Sequence, residues 1–188
     1  MLTLVIGGAR SGKSEWAEHL AHASGLPVTY VATAQDYPND LEWQRRIKLH
    51  QQRRPKNWQL QVIPVALAEF LSRCTPEQTI LIDSLGTWVS NCLAQDEAHW
   101  QSTQIRLIAH LQSCPSQVIV VCEETGWGVV PAFSSGRLFR DRLGHLTRQL
   151  GLIAHAVHLV IAGYTLRLDQ MGEKLPNPSA FLPDSLNY

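Results

Sequence analysis

Residues 1–14 read MLTLVIGGARSGKS. The apolar run Leu2 to Ile6 predicts a strand that passes straight into Gly7-x-x-x-x-Gly12-Lys13-Ser14, and a helical pattern begins at Ser14. Strand, glycine-rich turn and helix in that order form a phosphate-binding loop, or P-loop. Gly7, Gly8 and Gly12 let the backbone turn tightly and bring its N–H groups against phosphate oxygens. The N-terminus of the following helix adds its positive dipole end at the same place. Lys13 is the cation for the β- and γ-phosphates, and the Ser14 hydroxyl is the ligand for Mg²⁺. The alternative is a glycine-rich turn capped by Ser14, but a plain turn has no use for Lys13. The motif therefore points to a chain that binds a nucleoside triphosphate.

Outward from this motif, strands are predicted at Leu2–Ile6, Val28–Ala32, Gln59–Ile63, Thr79–Asp83, Gln117–Cys122 and Ala156–Ala162. Several are near-continuous apolar runs, the pattern of strands buried on both faces of a parallel sheet. Helical patterns fall between them, at about 14–23, 41–51, 65–73, 84–95, 98–112 and 134–150. Such alternation predicts an α/β fold with right-handed crossovers. Residues 165–188 contain three prolines with Asn, Ser and Gly and lack periodicity, so an irregular tail is expected after a 1–164 catalytic domain.

The 188 residues suffice for one domain with a sizeable core. Sixteen basic residues balance sixteen acidic ones, so no global field attracts nucleic acid or membrane. No apolar run is long enough to span a bilayer, and the opening strand does not read as a signal peptide. Cys74, Cys92, Cys114 and Cys122 show no Cys-x-x-Cys spacing. They read as free thiols, consistent with a cytoplasmic location.

A P-loop needs a second acidic group for Mg²⁺, usually at the end of a neighbouring strand. Asp83 ends the run Thr79-Ile-Leu-Ile-Asp83, at the strand edge where open α/β sheets bind ligands. The competing role for Asp83 or Ser84 is to cap the next helix. Glu124, after the strand 117–122, is a second acidic candidate. Six of the sixteen Lys and Arg residues fall between Arg45 and Lys56, a local concentration that a triphosphate would neutralise. His50 lies among them, where neighbouring positive charge favours the neutral, nucleophilic imidazole. An exposed helix face with an incidental histidine is the other reading. The pairs His19/His22 and His155/His158 lack a third ligand and are not expected to bind metal.

The ordered set GGARSGKS, Tyr30-Val31-Ala32-Thr33-Ala34 and Arg46-Ile47-x-x-His50-x-x-x-Arg54-Pro55-x-x-Trp58 resembles the bifunctional cobinamide kinase / cobinamide-phosphate guanylyltransferase family of cobalamin biosynthesis. Asp83-Ser84-Leu85 with Trp88-Val89-x-Asn91 continues the resemblance, as do Glu124-x-Gly126-x-Gly128-Val129-Val130-Pro131 and Phe139-Arg140-Asp141-x-x-Gly144. It covers about residues 1–163.

The resemblance implies a P-loop NTPase-like (RecA-like) parallel-sheet core with helices on both faces. It also implies two reactions. One transfers a γ-phosphate from ATP or GTP to the aminopropanol hydroxyl of adenosylcobinamide. The other passes GMP from GTP, through a guanylyl–histidine on His50, to adenosylcobinamide phosphate, giving adenosylcobinamide-GDP. The implied catalytic residues are His50 and Lys13, and the implied Mg²⁺ ligands are Ser14 and Asp83. Nucleotide contacts fall on Gly7, Gly8, Ala9, Arg10, Ser11, Gly12, Lys13 and Ser14 in the loop, and on Asp83. Beyond the loop they fall on Thr33, Ala34, Gln35, Gln51, Gln52, Arg53 and Arg54, with Val62 standing where the family usually carries Glu. Other departures are Leu60, Glu123, Ala132 and Thr147. A homotrimer with active sites between subunits is implied as well. From the residues alone, a single-activity P-loop kinase of a small metabolite or a nucleotide-binding regulatory module would carry the same loop.

Overall fold

The computed structural model describes residues 1–35, 45 and 54–175. Seven strands form one sheet: β1 (Leu2–Gly7), β2 (Val28–Ala32), β3 (Gln59–Val62), β4 (Thr79–Asp83), β5 (Gln117–Glu123), β6 (Ala156–Ile161) and β7 (Tyr164–Arg167). Their spatial order is β3-β2-β4-β5-β1-β6-β7. Every neighbouring pair is parallel except β6–β7, which is antiparallel. The helices described are α1 (Lys13–Ala23), α2 (Leu67–Leu71), α3 (Leu85–Asn91), α4 (Glu97–Ser113), α5 (Ser134–Ile153) and α6 (Leu168–Met171).

The central strands are apolar throughout because both faces are covered. Ala17 and Ala21 of α1 pack with Val5, Leu81, Ile119 and Val121 on one face. On the other face Leu67, Leu85, Trp88, Trp100, Leu107, Leu143 and Leu146, from α2 to α5, bury Leu4, Ile80, Ile82 and Val120. The α/β, P-loop NTPase-like fold with helices on both faces is thus the one observed. Caps set the helix starts: the Ser84 hydroxyl accepts from Thr87 N–H at 3.4 Å, and the Asp96 carboxylate accepts from His99 N–H at 2.9 Å.

Several boundaries shift. β1 and β5 each run one residue further than the sequence pattern indicated, to Gly7 and Glu123. β3 and β6 each stop one residue earlier, at Val62 and Ile161. The apolar runs proposed as helices 65–73 and 84–95 contain only the shorter α2 and α3, while α5 extends to Ile153. The expected helix 41–51 lies outside the described residues except for Arg45, which is helical. The larger correction concerns the segment from residue 165. Ala162 (φ 51°) and Gly163 (φ 79°) make a two-residue turn with positive φ at both positions, the geometry that joins antiparallel strands tightly. β7 therefore folds back on β6, and α6 follows it, so the sheet includes residues assigned to an irregular tail.

Candidate nucleotide-binding and active site

The parallel strands all end at one edge of the sheet, and the candidate residues gather there. Gly7 of β1 is in register with Glu123 of β5 and Val160 of β6, and Ala32 of β2 is in register with Asp83 of β4. The loop leaving β1 is tightly built. A Cβ at Gly7 would overlap the Ser11 hydroxyl and lie 2.6 Å from the Val160 carbonyl oxygen, so only glycine fits. Gly12 sits at φ 92°, a left-handed position that costs glycine little. Arg10, at φ 57°, takes the same region without that freedom.

Ser11 N–H bonds the Gly8 carbonyl at 3.3 Å, closing the turn, and Trp16 N–H bonds the Gly12 carbonyl at 2.9 Å, starting α1. The Lys13 ammonium lies 3.3 Å from the Gly8 carbonyl oxygen, which holds the cation over the loop. Ser11 Oγ is buried without a hydrogen-bond partner. Ala9 and Arg10 are exposed at the tip, while Gly8, Gly12 and Ser14 are half-buried. The result is a concave backbone with a cation and a helix N-terminus converging on it, a shape suited to phosphate.

Asp83 is held on the α1 face. Leu81 packs against α1, and Asp83, two residues on, shares that side of β4 by strand alternation. Its Oδ2 accepts a hydrogen bond from the Tyr30 hydroxyl at 2.8 Å. Burial first, then the Asp83 charge and hydrogen bond, push the Tyr30 hydroxyl well above the ordinary tyrosine range, so it stays neutral and donates. The Arg54 guanidinium lies over the Tyr30 ring, 4.1 Å from its centre, within cation–π reach. Tyr30 thus links Arg54 of the basic segment to the acidic strand end, a role not read from the sequence.

Asp83 ends β4, and β5 stands between that strand and the P-loop strand β1. The residue beside Gly7 is Glu123, whose Oε2 accepts from the Gly86 amide at 2.9 Å and so ties β5 to the start of α3. Glu124 is bound differently: its amide donates to the Gly7 carbonyl at 2.9 Å and its Oε1 accepts from Gly126 N–H at 2.5 Å. Hydroxyl and carboxylate oxygens, as on Ser14 and Asp83, are the hard donors that Mg²⁺ takes. Among the described residues no cluster of three or more His, Cys, Asp or Glu groups could hold a metal alone. Two protein oxygens beside a phosphate match the way Mg²⁺ is usually bound.

The other expected contacts divide. The Thr33 side chain is fully buried, donating to the Ser84 carbonyl at 2.7 Å and accepting from Ser84 N–H at 3.0 Å. Asn91 Nδ2 braces the same loop through the carbonyls of Thr33 and Pro64, at 2.8 and 2.9 Å. Ala34 and Gln35 are half-buried just beyond it. Val62 is 57% exposed at the end of edge strand β3. His50, Gln51, Gln52 and Arg53 lie outside the described residues.

Among the remaining histidines, His155 and His158 act structurally. His155 Nδ1 accepts from Leu2 N–H at 3.0 Å, and His158 Nδ1 accepts from the Trp16 indole at 3.1 Å. All four cysteines are free thiols. Burial pushes Cys122 up to about 12 and Cys92 up to about 11.

The sequence model of the family described as cobinamide kinase / cobinamide phosphate guanyltransferase matches residues 3–168. The bifunctional adenosylcobalamin biosynthesis protein CobP of Pseudomonas aeruginosa is 39% identical over 170 residues, spanning 89% of this chain and 97% of that protein. CobU of Escherichia coli, described in the same words, is 35% identical over 183 residues, spanning 89% of this chain and 99% of its own length. A solved structure from Pyrococcus horikoshii superposes with a TM-score of 0.53 at 9% identity, over 97% of this chain and 93% of that one, a likeness of fold alone. A complete P-loop at the sheet edge, a model match over nearly all the described chain and relatives covered end to end lead to one conclusion. This chain belongs to the cobinamide kinase / cobinamide phosphate guanyltransferase family of bifunctional enzymes.

Proposed function

We propose that this chain phosphorylates adenosylcobinamide with ATP or GTP and then transfers GMP from GTP to the resulting adenosylcobinamide phosphate. The observation that carries the reading is the P-loop, with Gly7 and Gly12 in positions other residues resist and Lys13 bonded to the Gly8 carbonyl. In the kinase step the loop amides and Lys13 bind the β- and γ-phosphates and offset charge as the γ-phosphoryl group moves to the acceptor hydroxyl. Ser14 and Asp83 would hold Mg²⁺, which would supply further charge neutralisation at the phosphates. Tyr30 orients the Asp83 carboxylate for that role through the hydrogen bond it donates.

In the transferase step a ring nitrogen of His50 attacks the α-phosphorus of GTP. A P–N bond forms, the bond from the α-phosphorus to the bridging oxygen breaks, and pyrophosphate leaves. A phosphate oxygen of adenosylcobinamide phosphate then attacks the same phosphorus, the P–N bond breaks, and adenosylcobinamide-GDP is released. The cationic segment from Arg45 to Lys56 neutralises the triphosphate. Thr33, Ala34, Gln35, Gln51, Gln52, Arg53, Arg54 and Val62 are proposed to surround the nucleotide, in a cytoplasmic homotrimer with active sites between subunits. No described helix is long and apolar enough to cross a membrane.

The test uses α-labelled GTP with Mg²⁺. Label retained on denatured protein, lost in acid and absent from His50→Ala, supports the guanylyl–histidine route. Wild-type protein that turns over nucleotide with cobinamide but never carries label would leave the kinase half alone.

A further inference from the structure

The loop between β5 and α5 places large apolar side chains in water. Trp127 is 70% exposed, Val129 95%, Val130 64% and Phe133 80%. Exposed apolar residues scattered singly are ordinary, but four within seven positions form a patch of the kind that marks a binding face.

The loop is also built to hold its shape. Arg140 Nη2 donates to the Gly126 carbonyl at 2.6 Å, and Arg137 Nη1 donates to the carbonyls of Pro131 and Ala132 at 3.0 and 2.7 Å. A Cβ at Gly136 would come within 2.8 Å of the Pro131 ring, so the first turn of α5 lies directly against the loop. Three of its carbonyls are thus engaged from the helix side, while the apolar side chains stand exposed. At its other end the loop starts from Glu124, whose amide donates to the Gly7 carbonyl at the entrance to the P-loop.

We propose that this loop is the platform for the corrin macrocycle of the acceptor, with Trp127 and Phe133 as its apolar floor. The inference rests on the cobinamide kinase reading above. An acceptor that presents a hydroxyl to the γ-phosphate must lie on the surface that borders the P-loop. On the β5 side of Gly7 that surface is this loop. A corrin ring is broad, flat and edged with methyl groups, and it needs an apolar face of several side chains rather than a closed pocket. Aromatic rings supply large contact area with little rotamer entropy to lose.

The test measures cobinamide affinity by calorimetry, nucleotide affinity and oligomeric state for wild type, Trp127→Ala, Trp127→Phe and Phe133→Ala. Expected for Trp127→Ala is a loss of about tenfold or more in cobinamide affinity, in line with a buried aromatic anchor. Nucleotide affinity and sedimentation should stay as in wild type, Trp127→Phe should recover part of the loss, and Phe133→Ala should weaken cobinamide in the same sense. Wild-type cobinamide affinity in both alanine variants overturns the platform while leaving the kinase reading intact. So does a change of oligomeric state without a change in cobinamide affinity, which would assign the patch to a second copy of the chain. Wild-type protein that binds nucleotide but no cobinamide overturns the kinase reading itself, and the platform with it.

Discussion

Gly86 offers the sharpest test of how the site is held together. Its amide donates to Glu123 Oε2 at 2.9 Å, and a Cβ there would overlap that carboxylate, with Cδ only 2.9 Å away. Gly86→Ala therefore has to expel the Glu123 carboxylate. The lost hydrogen bond to a charged group is worth about 1.5–3 kcal/mol. Against this, alanine in a helix gains up to about 1 kcal/mol over glycine. The net expectation is a loss of roughly 1–2 kcal/mol, or a fall in melting midpoint of about 2–8 °C for a chain of this size. In a Glu123→Ala background the obstruction is gone, and the same substitution should be neutral or stabilising by up to about 1 kcal/mol. Urea denaturation of the four proteins of this double-mutant cycle reads the coupling directly, expected near ~2 kcal/mol. Equal cost of Gly86→Ala in both backgrounds would refute the tie between β5 and α3. Since α3 begins beside Asp83, the single variants should also lower phosphoryl transfer more than nucleotide affinity.

Lys13→Ala is expected to weaken triphosphate binding and lower phosphoryl transfer by about a hundredfold or more, read in a coupled kinase assay, because the cation over the Gly8 carbonyl is lost. Asp83→Asn should lower activity in a way that added Mg²⁺ partly restores; a titration with unchanged midpoint would move the metal role elsewhere. Native protein at about pH 8 should leave Cys92 and Cys122 unalkylated, since burial holds both thiols protonated. Mass spectrometry after denaturation should then show all four cysteines modified. His158 is held below the ordinary histidine value, by burial first and then by Arg167, with Asp169 opposing. The folded state therefore resists a proton that the unfolded chain accepts, so stability is full above the unfolded pKa and declines as pH falls below it. Denaturation midpoints should drop between about pH 7 and 5, and His158→Gln should flatten that slope.

Much of the fold was legible because burial on both faces leaves a plain signature. Leu2–Ile6, Thr79–Asp83 and Gln117–Cys122 each announce a central strand, and glycine, lysine and serine spacing announces the loop. The order of those strands was not legible, because every parallel crossover is compatible with several neighbours. In the folded chain β5 stands between the strand of Asp83 and that of the P-loop. β7 leaves little signature because three of its four residues, Tyr164 to Leu166, are exposed at a sheet edge, with Ala162-Gly163 as the local sign of a turn. Among the candidate site residues, Lys13 and Ser14 are marked by residue type at a fixed spacing and Asp83 by its place at a strand end. Tyr30, Asn91 and Glu123 act by holding other groups across 53, 58 and 37 positions of sequence. No local pattern encodes such long-range contacts. His50 owes its place to the family resemblance and to the arginines around it.

The central position of β1 has a consequence for how this protein comes into being on the ribosome. Leu2 pairs with Val118 and Thr3 with Ala156, and His155 N–H closes onto the Leu2 carbonyl at 2.9 Å. The strand that carries the nucleotide loop is made early, yet both of its neighbours emerge more than a hundred residues later. Until they do, Gly7 has no Glu124 amide and no Val160 backbone to set its curvature, and an apolar hexapeptide waits without a sheet. The loop that holds phosphate therefore takes its curvature only after β5 and β6 have joined β1. A chain truncated before β6 should therefore leave β1 without one of its two neighbours and lose its hold on nucleotide.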